Sequence, residues 1–221
     1  MRRRELIRLA VAGAIGIVAA PAVVRAQVAT KVPKRVIADQ SCGIIIDVQG
    51  SFLEQLDGAD RSKIMRNTQH LARLLGYFKI PVVVTLEKPV DQKGSLPQEV
   101  KQHLGALATT FEKNFFDMTR EEPIRSHLAQ LGKKQAIVAG CETDVCVLES
   151  CLGLLGLGYE VFVVENLVFS SSRIVDAAIA RMKAEGATFL TYKSLFYELV
   201  GSVDAQTALD ASGPVAKDLP Q

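Results

Sequence analysis

The sequence predicts a doubly wound three-layer α/β/α fold, in which helices cover both faces of a central, mostly parallel six-stranded sheet. Short apolar runs alternate along the chain with longer segments whose apolar residues recur at helical spacing. This alternation is typical of βαβ units, whose right-handed crossovers place successive strands parallel. Residues 136–139 form one such run, and Gly140 and a helix-like segment follow it directly. That succession indicates a strand, a tight turn and a helix.

Each element follows from a local pattern. The first strand is the apolar run 43–46, which ends at Asp47, and the first long helix spans residues 59–78, where Ile64, Leu71 and Leu75 recur at near-helical spacing. Pro123 fits the first turn of a later helix, where proline is tolerated. The remaining predictions are strands at 81–86, 110–113, 135–140, 160–165 and 187–191, and helices at 100–107, 121–131, 148–157 and 174–185.

The start of the chain has the pattern of an export signal. Arg3-Arg4 is followed by apolar residues and Arg8, which resembles the bacterial twin-arginine motif, although Arg2 replaces the usual Ser or Thr and leaves Sec export open. The apolar run 9–24 has 16 residues, short for a membrane span and long enough for a signal core. We therefore expect a signal peptide over 1–26 and a periplasmic or secreted protein; an uncleaved anchor is the alternative.

Composition limits the kind of protein that the signal precedes. We expect an arm at 27–34, one globular domain at 35–200 and a C-terminal tail at 201–221. The 221 residues are 48% hydrophobic and 23% charged, with a net charge of +2, which suits a single α/β domain. Loss of residues 1–26 removes five Arg and one Glu, leaving a net charge of −2. With no basic stripe, nucleic acid is not an expected partner, nor is stable membrane insertion after signal removal.

Three residues form a candidate catalytic group. Asp47 ends the first strand, Lys113 lies in a Phe-rich segment, and Cys146 falls in the first turn of the helix that follows the fourth strand. The positive end of a helix dipole favours thiolate, the nucleophilic form of cysteine. Sites in parallel sheets lie beyond the carboxyl ends of strands, where Asp47 and Cys146 are expected to meet. The alternative for Cys146 is a small buried apolar residue.

These segments make the chain similar to the isochorismatase-like cysteine hydrolases, from about Arg35 to Phe196. The resemblance implies a Rossmann-like sheet and a catalytic triad of Asp47, Lys113 and Cys146. Its anchors are Asp47, Gln49 and Phe52; Lys113, Phe115 and Phe116; and Gly140, Thr143, Asp144, Cys146 and Val147.

In this interpretation Asp47 is the general base, and Lys113 holds the two anionic groups and stabilises the intermediate. The backbone N–H groups of Glu142 and Cys146 are the candidate oxyanion donors. The resemblance further implies a cis peptide bond between Cys141 and Glu142. Cys42 and Cys151 are expected to be buried rather than disulfide-bonded. Cys141 lies in the same turn as Cys146, and a disulfide with it would abolish the nucleophile, so the hypothesis requires Cys146 to be free.

We expect neither a metal nor another cofactor. Some relatives, the nicotinamidases, bind a metal through an Asp and two His after the second strand, but residues 85–93 contain no histidine. His70, His103 and His127 are interpreted as surface or helix-face residues. Glu87 is expected to contact a substrate amine or a second lysine. The predicted substrate pocket consists of Phe52, Glu87, Phe115, Phe116 and Phe169.

The predicted function is an exported cysteine hydrolase that cleaves a small amide or related C–N bond through a thioester. One alternative is vinyl-ether hydrolysis of the isochorismatase type, against which the export signal argues. Another is a non-catalytic periplasmic binding protein, against which the intact triad argues. The expected partners are a small-molecule substrate and further copies of the chain in a homo-oligomer.

Overall fold

The structure is a computed structural model that describes residues 33–212. The predicted export signal, residues 1–26, lies outside the described residues, as do residues 27–32 of the predicted arm and 213–221 of the tail. Between residues 33 and 212, the strands are β1 (Ser41–Ile46), β2 (Val82–Glu87), β3 (Ala108–Lys113), β4 (Gln135–Cys141), β5 (Glu160–Phe169) and β6 (Thr188–Leu190).

The six strands form one sheet in the order β3-β2-β1-β4-β5-β6, and every neighbouring pair is parallel. The order changes direction between β1 and β4, where Ile46 pairs with Gly140. Every residue of β1 and β4 is buried, as expected for central strands covered on both faces. The predicted doubly wound fold is confirmed, with a sheet that is entirely parallel.

The helices pack on both faces of this sheet. Side chains alternate along each strand between two cores. Ile45 of β1 belongs to the core shared with α2 and α8, whereas Ile44 belongs to the core shared with α5, α6 and α7. The helices in the described part of the chain are α1 (Gly50–Leu53), α2 (Gly58–Tyr77), α3 (Val90–Lys93), α4 (Gln98–Leu104), α5 (Glu122–Leu131), α6 (Leu148–Gly156), α7 (Asp176–Ala184), α8 (Tyr192–Val200) and α9 (Val203–Ser212).

Local signals explain where these helices begin. The Asp57 side chain accepts hydrogen bonds from the N–H groups of Ala59 and Asp60, at 3.1 and 2.9 Å, and so caps α2. Thr191 caps α8 in the same way through the N–H of Ser194, at 3.2 Å. α8 was not predicted from the sequence, although its cap and its apolar face are present there as signals.

The other differences lie at element ends. β5 continues four residues past the predicted end at Glu165, because Val168 and Phe169 pair with Gly140 and Cys141 of β4 after a bulge. Polar Glu165 and Asn166 interrupt the apolar run there, so the sequence pattern ended early. In the predicted tail, α9 forms from Val203 onward.

His70 was interpreted as a surface or helix-face residue, and the structure supports the helix face but not the surface. It lies on α2 with 6% of its surface exposed, and its backbone carbonyl accepts a hydrogen bond from the Tyr192 hydroxyl at 3.2 Å. The rings of His70 and Tyr192 lie 6.1 Å apart, so α8, an element not predicted from the sequence, contributes to this burial.

Across residues 33–212, the structure contains no helix of the length and apolar character needed to cross a membrane.

Candidate active site

Four polar residues meet at the carboxyl ends of four adjacent strands. Asp47 directly follows β1, while Glu87 and Lys113 are the last residues of β2 and β3. Cys146 lies in a π-helical turn, Thr143–Val147, between β4 and α6. Because the strands are parallel, these ends share one edge of the sheet, beside the change in strand order.

The Lys113 ammonium lies at the centre of the group. Its Nζ is 2.7 Å from Asp47 Oδ2, 3.3 Å from Cys146 Sγ and 3.6 Å from Glu87 Oε2. The side chains of Asp47 and Lys113 are fully buried, and that of Glu87 is 15% exposed. The structure therefore brings the three predicted triad residues together and adds a second carboxylate to them.

Asp47 is held on both of its carboxylate oxygens. Thr85 Oγ1 donates a hydrogen bond to Oδ1 at 2.8 Å, and Lys113 faces Oδ2. Burial raises the pKa of Asp47 despite the opposing effect of Lys113. For Lys113, burial acts to lower the pKa, but Asp47 and Cys146 outweigh it and the pKa is raised. The pair is thus a fully buried carboxylate and ammonium in direct contact.

The electrostatics at Cys146 differ from the predicted thiolate. Its Sγ donates a hydrogen bond to Glu87 Oε2 at 3.1 Å. Burial raises the pKa of the Cys146 thiol, and Asp47 and Glu87 raise it further, while Lys113 acts in the opposite direction. Burial and two carboxylates outweigh the favourable helix end, so the resting group is a thiol.

Glu87 contacts a second lysine, as predicted, but it also touches the nucleophile. Lys93 of α3 forms an ion pair with Oε1, which leaves Oε2 directed at Cys146 and Lys113. Burial acts to raise the pKa of Glu87, but Lys93, Cys146 and Lys113 outweigh it and the pKa is lowered. Glu87 is therefore ionised at neutral pH.

Gln49 fixes the backbone around Glu87. Its Oε1 accepts from the Glu87 N–H at 2.7 Å, and its Nε2 donates to the carbonyls of Glu87 and Gly94 at 3.2 and 2.7 Å. Neither these hydrogen bonds of Gln49 nor the one from Thr85 to Asp47 was predicted from the sequence. In the sequence, Gln49 stands out only as part of a motif, and Thr85 only as a residue of the second strand.

The predicted cis peptide bond between Cys141 and Glu142 is present. It opens the turn that carries Cys146, in which the Glu142 carbonyl accepts from the N–H groups of Val145 and Val147 at 3.1 and 3.0 Å. The oxyanion roles of the Glu142 and Cys146 N–H groups stay predictions.

The predicted pocket residues lie in different surroundings. Phe115 and Phe116 are 38% and 55% exposed and line a cavity beside Val145 of the nucleophile turn. Phe169 is buried at the end of β5 and lines another cavity. Phe52 packs near Lys93, whose Nζ lies 5.4 Å from the ring centroid. Their contact with a substrate stays a prediction.

None of the four cysteines takes part in a disulfide: Cys42, Cys141, Cys146 and Cys151 are all free and buried. Cys141 Sγ donates to the Asp47 carbonyl at 2.9 Å, so it supports the site. Burial raises the pKa of Cys42 and of Cys151 to about 12 in each case.

The donor set could in principle attract a cation. Ligand atoms of Asp47, Glu87 and Cys146 lie within 4.8 Å of one another. Lys113 Nζ, however, lies within 3.6 Å of all three side chains, so a positive charge already occupies the place between them. The arrangement thus favours cysteine chemistry supported by a lysine over a metal centre.

Comparisons with known proteins agree with this geometry. The Isochorismatase domain family model matches residues 41–194. A secreted isochorismatase effector, Isc1 of Phytophthora sojae, is 30% identical over 196 residues, covering 86% of this chain and 88% of its own. The crystal structure of YcaC from Escherichia coli, an octameric hydrolase of unknown specificity, has a TM-score of 0.78 at 25% identity, covering 86% of this chain and 92% of that one.

A further similar structure is YcaC from Pseudomonas aeruginosa with hexane-2,5-diol and covalent acrylamide. Its TM-score is 0.75 at 26% identity, covering 84% of this chain and 91% of that one. The family model spans more than half of the chain and includes Asp47, Lys113 and Cys146. With this match and the geometry around Lys113, the chain belongs to the isochorismatase family of hydrolases.

Proposed function

We propose that this hydrolase is an exported cysteine enzyme that cleaves a small amide or related C–N bond through a thioester at Cys146. The observation that carries the proposal is the position of the Lys113 ammonium, 2.7 Å from a buried carboxylate and 3.3 Å from a buried thiol. A nucleophile, an acid–base group and a fixed positive charge within contact distance are the parts that acyl transfer requires.

The reaction uses each of these parts. Cys146 Sγ attacks the amide carbonyl and passes its proton to a neighbouring carboxylate, for which the sequence-based assignment is Asp47. The amine leaves with a proton, and a thioester remains on Cys146. Water then hydrolyses the thioester, releasing the acid and restoring the thiol. Lys113 stabilises the negative charge that develops during both steps.

Similarity to the P. aeruginosa protein supports a site that admits a small amide. Acrylamide is covalently attached in that structure, and because thiols add to its C=C bond, the attachment speaks for access of a small amide rather than for its cleavage. Isochorismatase-type vinyl-ether hydrolysis is the alternative within the same family. The proposed export argues against isochorismate, which is a cytoplasmic metabolite, whereas the secreted P. sojae relative bears the name of an isochorismatase effector and keeps the alternative open. The octameric E. coli relative supports our further proposal of a homo-oligomer.

The test is a panel of small amides, with isochorismate included, incubated with the protein produced from residue 27 onward. Ammonia or amine release from at least one amide, absent in Cys146→Ala, is the expected result. Iodoacetamide labelling of Cys146 should slow when that amide is present. Turnover of isochorismate alone, or amide turnover that survives in Cys146→Ala, would contradict the proposal.

A further inference from the structure

We infer that Ser170 and Ser171 are positioning residues for the proposed reaction. They belong to the serine run Ser170–Ser172, which directly follows β5. Each binds a carboxylate on the nucleophile turn, residues 142–147, and so acts on Cys146 through the backbone of that turn. This inference rests on the proposed function, and it extends the catalytic machinery beyond the charged group around Lys113.

Two carboxylates of the nucleophile turn accept hydrogen bonds from the serine run. Ser170 Oγ donates to Asp144 Oδ1 at 2.6 Å. Ser171 donates to Glu142 Oε1 through its backbone N–H, at 3.1 Å, and also through its hydroxyl. Hydrogen bonds to an ionised acceptor are stronger than those between neutral groups. The turn is thus attached to the serine run at two points, both shortly before Cys146 in the chain.

The Ser170 hydroxyl is oriented by its neighbour in the serine run. Its oxygen accepts a hydrogen bond from the N–H of Ser172 at 3.2 Å, and its single hydrogen is directed at Asp144. Within residues 33–212, neither Asp144 nor Glu142 forms an ion pair. The serine run therefore supplies the hydrogen bonds that restrain both carboxylates.

Strand pairing brings the serine run to the nucleophile turn. Phe169, the last residue of β5, pairs with Cys141, the last residue of β4. Because the two strands are parallel, the segments that begin at Ser170 and Glu142 leave the sheet side by side. β4 is a central strand and is buried along its whole length. The serine run is therefore anchored to the centre of the sheet and can support the turn.

The position of Cys146 leaves little room for movement of the turn. Its Sγ lies 3.3 Å from Lys113 Nζ and 3.1 Å from Glu87 Oε2. The predicted oxyanion donors, the N–H groups of Glu142 and Cys146, are carried by the same turn. A misplacement of about 1 Å can cost roughly 10²-fold in rate. A turn released from the serine run should therefore retain every reacting group and still lose part of the rate.

The experiment compares Ser170→Ala and Ser171→Ala with the matched control Ser172→Ala. The Ser172 hydroxyl bonds to the backbone of Ile174 in its own loop, and alanine retains the N–H that binds Ser170. The substrate is the amide that the wild type hydrolyses fastest in the panel. In Ser170→Ala, kcat should fall roughly 10–10²-fold while KM stays within about twofold of the wild type. Ser171→Ala should lose less, because its N–H still binds the turn, and the control should lose nothing.

Hydrogen–deuterium exchange provides a readout that does not depend on a substrate. In Ser170→Ala, the amides of residues 142–147 should exchange roughly 2–10-fold faster, the factor that corresponds to one lost hydrogen bond. The amides of β1 and β4 should exchange at the wild-type rate. Ser170→Thr keeps the hydroxyl, and Ser170 lines a cavity of about 540 Å³ that offers space beside its side chain. It should restore both kcat and the slower exchange of the turn.

A double-mutant cycle tests whether Ser170 acts through Asp144. Once Asp144→Ala has removed the acceptor, adding Ser170→Ala should cause no further loss of kcat. Thermal unfolding of each variant establishes that the compared proteins are folded. Strictly additive losses of kcat would separate Ser170 from this carboxylate and contradict the inference.

Other outcomes would also overturn the inference. Wild-type kcat in Ser170→Ala would mean that the reaction does not depend on the serine run. An equal loss in Ser172→Ala would assign the effect to packing of the loop. Absence of amide turnover in the wild type would instead refute the proposed function. In that case, unchanged exchange of the turn in Ser170→Ala would separately refute its restraint by the serine run.

Discussion

At the residue level, the thiol of Cys146 is subject to opposing charges at close range. The Lys113 ammonium at 3.3 Å favours thiolate, whereas Glu87 at 3.1 Å accepts the hydrogen of the neutral thiol. Burial adds to the effect of the carboxylates, so the pKa of Cys146 is raised. The sulfur is thus activated only as it attacks, as in enzymes whose base acts during nucleophilic attack rather than before it.

Cys146→Ala should abolish amide turnover and change the free energy of unfolding by no more than about 2 kcal/mol, because one small buried group is lost. Ammonia release and guanidinium unfolding measure the two effects. Cys151→Ala is the matched control: Cys151 is also fully buried, but it lies on α6 away from the charged group. It should keep wild-type turnover, and an equal loss in both variants would show that packing, not nucleophilicity, matters.

Lys113→Met should destabilise the protein by about 3–5 kcal/mol, because Asp47 is left as a buried charge without its partner. The double variant Asp47→Asn/Lys113→Met should recover part of that loss, since neither charge then remains alone. The free energies of unfolding of Asp47→Asn, Lys113→Met and the double variant complete the double-mutant cycle. Strictly additive losses would argue against a direct interaction between the two side chains.

The sequence located Asp47, Lys113 and Cys146 because each follows or ends a recognisable strand. It placed Glu87 near a substrate amine or a lysine but gave no sign of its contact with the thiol. That contact depends on the alignment of β2 with β4 across β1, and on Gln49 and Lys93, which set the direction of one side chain. Such alignment is a property of the assembled sheet, not of a local pattern.

At the level of elements, the pairing of β1 with β4 requires a glycine at position 140, which faces Ile46. The φ of Gly140, +123°, is unfavourable for other residues, and a Cβ there would lie 1.9 Å from the Ile46 carbonyl oxygen. Neither backbone can yield, because both strands are buried in the centre of the sheet. The position of this glycine therefore determines how near Asp47 and the nucleophile turn can come.

Gly140→Ala should lower the free energy of unfolding by at least about 3 kcal/mol, since backbone strain and overpacking act together. Thermal unfolding monitored by circular dichroism measures the loss. Gly156→Ala on α6 is the matched control, because a Cβ there meets no atom within 4 Å. A fully stable Gly140→Ala would mean that β1 and β4 are not held at this distance.

Strongly periodic elements were predictable from the sequence, and elements defined by pairing or by contacts were not. α2 was placed within one residue at each end, because its apolar stripe is a local signal. The end of β5 depends on pairing with Gly140 and Cys141, and α8 contributes to the burial of His70. These features arise only when distant segments meet.

At the level of the whole molecule, four buried thiols give the fold a dependence on alkaline pH. The pKa values of Cys42, Cys141, Cys146 and Cys151 are all raised above 9.0, with burial as the largest cause. Above that pH the unfolded chain loses protons that the folded chain retains. The stability contributed by the neutral thiols is therefore complete below about pH 9 and falls as the pH rises further.

Guanidinium unfolding under reducing conditions should give a lower free energy of unfolding at pH 10 than at pH 8. Cys151→Ala should show a shallower decline, because one of the four groups has been removed. A free energy of unfolding that does not change between these two pH values would contradict the thiol assignment.

For the whole chain, we expect a mature form that begins near Gln27 and is found outside the cytoplasm. The twin-arginine-like start and the small-residue site before Gln27 motivate this expectation, and the secreted P. sojae relative supports it. Mass spectrometry of periplasmic and secreted fractions measures the start of the chain. An intact Met1 on a cytoplasmic protein would contradict this expectation. The proposed homo-oligomer is tested separately, by size-exclusion chromatography with light scattering of the same sample.

The position of Lys113 at the end of an edge strand links the chemistry to local opening of the sheet. β3 is bonded to β2 alone, so fraying would begin there more easily than in the central strands. Opening at its carboxyl end would carry the ammonium away and leave Asp47 without its counter-charge, close to the carboxylate of Glu87. The ion pairs of Lys113 with Asp47 and Glu87 therefore hold the carboxyl end of β3 against the sheet. Backbone amides near Lys113 should exchange with deuterium more slowly than those near Ala108.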